Sequence, residues 1–140
     1  MSAAIKPKEL KELVTLATDG EPIVGYAPEE LVRKKRFLAL SLKCVKVLAE
    51  RLGAPGGARI NPAGPAVSGE AYLSTPDWEI HFEHHSDPRN SWGDVFFRRG
   101  RDRETVWVKW EALLDFDGLV GKLRKDPRLA DRVPGKAAAE

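Results

Sequence analysis

Residues 28–52 carry apolar side chains around well over half of a helical circumference, and a helix of that kind has to be packed on more than one side. Pro28-Glu29-Glu30 opens it, with proline at the first position and acids in the first turn, and Gly53 with Pro55 stops it. Helical spacing places Leu31, Leu38, Leu42, Val45, Ala49 and Leu52 on one stripe, which Phe37, Leu40, Cys44, Val47 and Leu48 widen. The polar strip left over is narrow and mostly basic: Lys35, Arg36, Lys43 and Lys46, with Glu50. Any fold for this chain must supply this helix with a large apolar surface.

That surface has to come from the second half. Residues 53–69 concentrate glycine and proline and read as a loop or linker. From position 70 the apolar period changes from 3.6 to 2. Ala71-Tyr72-Leu73-Ser74 is a candidate strand, and Pro76-Asp77 punctuates it. In Trp78-Glu79-Ile80-His81-Phe82-Glu83 the alternation is strict, as in a half-buried strand with Trp78, Ile80 and Phe82 inward. Asp87-Pro88-Arg89-Asn90 is a turn. Residues 94–99 and 104–110 form two further strands, joined around Gly100 as a hairpin. Shorter helices are expected at 7–17, where Leu10, Leu13, Val14 and Ala17 recur at helical spacing, and from 115 to Pro127. The expected fold is α+β: a four-stranded, largely antiparallel sheet over about residues 70–110, packed with one long buried helix and shorter N- and C-terminal helices. One domain is expected over 1–133, with 134–140 as a tail.

Composition narrows the function classes. A net charge of +2 gives no bulk argument for nucleic acid, so any such case rests on local patches. Cys44 is the single cysteine, which excludes an intramolecular disulfide and a Cys-rich zinc site. A lone cysteine on an apolar helix face is expected to be a small buried hydrophobe. No apolar run reaches spanning length and the N-terminus lacks a signal-peptide core. The expected location is therefore cytoplasmic, in the host cytoplasm if the chain has a viral or mobile-element origin.

The functional candidates fall between 78 and 110, which hold all four tryptophans and all three histidines. Glu79, His81 and Glu83 share one strand face, and His84, His85 and Asp87 follow, so imidazole and carboxylate could converge on an ion for hydrolase or nuclease chemistry. Plain alternation produces the same face without a metal, and no second ligand cluster exists to complete a site. Ser74, Ser86 and Ser91 lie near the histidines, but sequence proximity is not a catalytic triad. If Val106, Val108 and Trp110 face the core, then Trp107 and Lys109 look outward, and if Phe96 and Arg98 share that side the sheet shows two aromatics flanked by cations. Such a face could stack bases between cations, as nucleic-acid platforms do. Exposed tryptophan and arginine equally build protein hot spots, and the hairpin tip offers Arg98, Arg99, Arg101 and Arg103 to an acidic surface. The basic strip Lys35, Arg36, Lys43 and Lys46 would add steering. The reading these residues favour is a small non-enzymatic binding module, a regulator or inhibitor, docking a protein with an acidic surface. Nucleic acid is the alternative partner, and neither a cofactor nor a membrane is called for.

Overall fold

A computed structural model of the chain describes residues 4–18, 28–62, 69–83 and 95–130. Among these, α1 (Pro7–Thr18) and α2 (Pro28–Leu52) precede five strands: β1 (Arg59–Asn61), β2 (Glu70–Ser74), β3 (Trp78–Glu83), β4 (Val95–Arg99) and β5 (Val106–Val108). A 3₁₀ helix, Trp110–Asp115, then runs into α3 (Phe116–Lys125). The strands lie in chain order and every pair is antiparallel, so the architecture is the α+β meander expected. Two details differ. The sheet has five strands, because the glycine- and proline-rich segment contains β1, whose three residues are too few to show a period. The last strand is also shorter than expected. Trp110 belongs to the 3₁₀ helix, which turns the chain from the sheet toward α3.

Local chemistry sets the boundaries. α2 ends where Gly53 adopts a left-handed φ of 73°. The Ala54 amide then donates to the Ala49 carbonyl at 2.8 Å and the Gly53 amide to Glu50 at 3.2 Å, which satisfies the last carbonyls of the helix. α3 begins under the Asp115 carboxylate, which accepts from the Gly118 amide. A Cβ on Gly118 would sit 2.2 Å from that carboxylate, so glycine makes room for the cap. β2 and β3 are joined through Pro76-Asp77, where Thr75 Oγ1 accepts from the Trp78 amide at 3.0 Å.

α2 packs across β1, β2 and β3 on one side and against α1 and α3 on others, as its wide apolar face requires. Phe37, Leu40, Cys44, Val45, Val47 and Leu48 of α2 are buried with Ala71, Leu73, Trp78, Ile80, Phe82, Val95, Phe97 and Val106 of the sheet. Strand alternation is as expected. The buried stripe is shifted from the expected one: Leu31 is 42% exposed and Leu42 is half-buried, while Lys34 and Ser41 are buried.

Candidate functional site

The face of the sheet turned away from the helices carries a row of rings. Direct cross-strand pairing sets Tyr72 opposite His81, His81 opposite Phe96, and Phe96 opposite Trp107. Residues paired in this way share a face with their side chains in reach of each other. The Tyr72 and His81 rings are 5.6 Å apart at 16°, His81 and Phe96 4.4 Å apart at 9°, and Phe96 and Trp107 5.0 Å apart at 50°. Tyr72, His81 and Phe96 shield one another and are half-buried, whereas Trp107, at the end of the row, is 58% exposed. Phe96 and Trp107 thus lie side by side on the outer face. Tyr72 and His81 join them because β2 pairs with β3, and β3 with β4, in these registers, a long-range fact that no strand's own sequence carries.

The charges on this face balance. Arg59 and Arg98, with Lys109 two residues beyond Trp107, are matched by Glu70, Glu79 and Glu83. Arg98 is ion-paired to Glu79, which also accepts from Ser74 Oγ at 3.1 Å. His81 Nδ1 lies 3.3 Å from Glu70 and its Nε2 3.6 Å from Glu79.

The hairpin arginines divide by role. Arg99 faces the helix side: its guanidinium lies 4.6 Å over the Trp78 ring, bonds Asp77 at 3.2 Å and reaches the Leu129 carbonyl. Its side chain is only 13% exposed, so it works within the fold. Arg103 donates to the Arg128 and Ala130 carbonyls and pins the segment that follows α3. Arg101 is exposed at the tip. It lines a cleft of about 220 Å³ between the β2–β3 and β4–β5 turns together with Ser74, Glu79 and Arg98.

The basic strip of α2 is partly a seam within the fold. Arg36 makes a two-pronged contact with Glu12, at 2.7 and 2.8 Å, and Lys43 bonds Glu9 at 2.8 Å, so these two cations hold α1 to α2. Both carboxyls are held below the usual carboxylate range, chiefly by those hydrogen bonds. Lys35 and Lys46 are exposed. Of the candidate metal ligands, His84, His85 and Asp87 lie outside the described residues, as do Ser86 and Ser91. Among the described residues no group of three or more histidine, cysteine or acidic side chains is placed to hold an ion. Cys44 is fully buried, and burial pushes its thiol well above its ordinary value.

A groove of about 580 Å³ opens beside β5, lined by Val106, Val108, Ala112, Leu119 and Leu123 with Trp107 at its lip. It joins the sheet edge to α3, a pairing of segments that periodicity does not reveal. Among the described residues no helix is long and apolar enough to cross a membrane. No protein-family model, curated protein or solved structure matches the chain.

Proposed function

We propose that this chain is a small binding module, a regulator or inhibitor without chemistry of its own, that docks a protein partner on the outer face of its sheet around Trp107. The observation that carries this reading is the exposure of Trp107, 58%, at the end of a stacked row of rings. A large, rigid aromatic held in place by its neighbours loses little entropy on docking, which is why tryptophan dominates protein hot spots. Nucleic acid would use the same rings, but its affinity rests on phosphate neutralisation. On this face the three cations are equalled in number by three carboxylates, and Arg98 is already engaged by Glu79. The charge balance therefore favours a protein. Arg101 and Lys109, both exposed, remain as donors for acidic side chains of that partner.

A photo-crosslinking side chain placed at Thr105, beside β5, and as a control at Lys11 on α1, tests the reading in the native host with Trp107 intact. The expected result is one discrete protein adduct from position 105 and none from the control. Adducts dominated by RNA or DNA, together with single-strand binding in vitro that falls steeply with salt, would replace the protein reading with the nucleic-acid one.

A further inference from the structure

Among the described residues the sheet ends on β5, which is hydrogen-bonded on one side only, to β4. An edge strand leaves a row of backbone N–H and C=O groups open to pairing. The opposite edge, β1, is followed directly by Pro62 and begins with Arg59, both of which discourage strand addition. β5 is Val106-Trp107-Val108, with neither proline nor charge among its three residues. Val106 and Val108 stand opposite Phe97 and Val95, so they face the helix side, and the apolar groove runs from them to Leu119 and Leu123 of α3. Neighbouring strands lie about 4.7–4.9 Å apart, so a strand laid along β5 would come over this groove. Its alternate side chains would fill the groove on one face and pack beside Trp107 on the other.

We propose that the β5 edge and its groove are the docking site for an extended segment of a partner protein, which adds to the sheet as a sixth strand. The inference rests on the protein-docking reading above and names the mode of recognition: backbone pairing for affinity, alternate side chains for selection. Charge gives the segment's chemistry. Lys109 and Lys122 stand on the rim of the groove. Of the two acids there, Asp126 is taken up by Arg128 at 2.8 Å, which leaves Glu111 against two lysines. The segment that fits alternates aliphatic side chains, directed into the groove, with acidic ones beside the lysines. A second copy of this chain fits less well, because a two-fold pairing of β5 edges supplies lysine rims from both sides and an acidic strand from neither.

The test uses the whole chain, labelled for amide NMR, and three capped synthetic decapeptides. One alternates valine with glutamate, one alternates valine with lysine, and one repeats the first with its backbone N-methylated at alternate residues. The expected result is shifted Val106, Trp107 and Val108 amides with the valine–glutamate peptide, binding at least about tenfold weaker for the lysine version, and none for the N-methylated version. Equal binding of the N-methylated peptide, equal binding of the lysine peptide, or absence of shifts at β5 would overturn strand addition. So would a dimer by sedimentation with protected β5 amides, which would make the edge a self-interface. Shifts confined to Tyr72, His81 and Phe96, unaffected by N-methylation, would overturn the sixth strand while leaving docking on the sheet face intact.

Discussion

Burial separates side chains of the same type along α2. Leu48 has no exposed surface, Leu42 is half-buried, and Leu31 is 42% exposed. Leu48→Ala should therefore cost about 2–5 kcal/mol, because it leaves a cavity among α2, the sheet and their neighbours. Leu31→Ala should stay within about 0.5 kcal/mol of wild type, as exposed substitutions usually do. Leu42→Ala should fall between them. Urea melts of the three variants give the order, and equal losses would mean that α2 is packed all round at its start. Cys44 belongs to the same buried set. Its thiol should stay unreactive toward a disulfide reagent in the folded chain and react at once in denaturant. At Gly53 there is room for a methyl group, but φ is +73°. Gly53→Ala should then cost about 1–2 kcal/mol through backbone strain alone, whereas Gly53→Asn, a residue that tolerates the left-handed region, should cost less.

Elements whose partners lie close in sequence were legible, and those held by distant partners were not. Trp78–Glu83 shows its faces because alternation is local, and α2 shows its ends because Pro28 and Gly53 are local punctuation. β1 is a strand only because β2 pairs with it; nothing within Arg59-Ile60-Asn61 requires one. The arginines follow the same rule. Arg98 finds Glu79 nineteen residues away and Arg103 finds carbonyls some twenty-five residues on, so their engagement could not be read from the hairpin's own composition. The outward side of Trp107 follows from strand period once Val106, Val108 and Trp110 are taken as the core set, but that Phe96 shares it depends on the register of β4 with β5, which the sequence leaves open. The α1–α2 seam was not, since Arg36 and Lys43 read only as a basic strip. That seam should respond to pH. Glu9 and Glu12 have lowered values in the folded chain, so their pairs with Lys43 and Arg36 contribute fully above the ordinary carboxylate value of 4.5. The contribution is lost as pH falls through the lowered folded values. Amide exchange in α1 should accelerate over that window relative to α2. In a Glu9→Gln, Glu12→Gln variant that pH step should vanish; a step of unchanged size would assign it to other groups.

At the scale of the whole molecule, one side chain ties the layers together. Trp110 leaves the sheet at the start of the 3₁₀ helix and is buried. Its ring meets Phe37 of α2 edge-on at 5.7 Å and Phe82 of β3 edge-on at 5.5 Å. Edge-to-face pairs add to the burial term, and here they join the long helix to a central strand. α1 packs on that same 3₁₀ helix, and α3 continues from it. The helical first half and the sheet-bearing second half therefore share one apolar cluster, although a stretch rich in glycine and proline separates them in sequence. A shared cluster of this kind should melt as one unit. Helix content by circular dichroism and the fluorescence of buried Trp78 and Trp110 should give coincident urea transitions. Trp110→Ala should cost about 3–5 kcal/mol and shift both probes together. Two separated transitions, or a Trp110→Ala variant in which the helical signal keeps its midpoint while fluorescence loses it, would mean that the halves fold independently and that α2 draws its stability from α1 alone. Trp107→Ala supplies the internal contrast. With its indole mostly in solvent, that change should leave both midpoints within about 0.5 kcal/mol of wild type, so any binding it abolishes is lost at the surface and not through the fold.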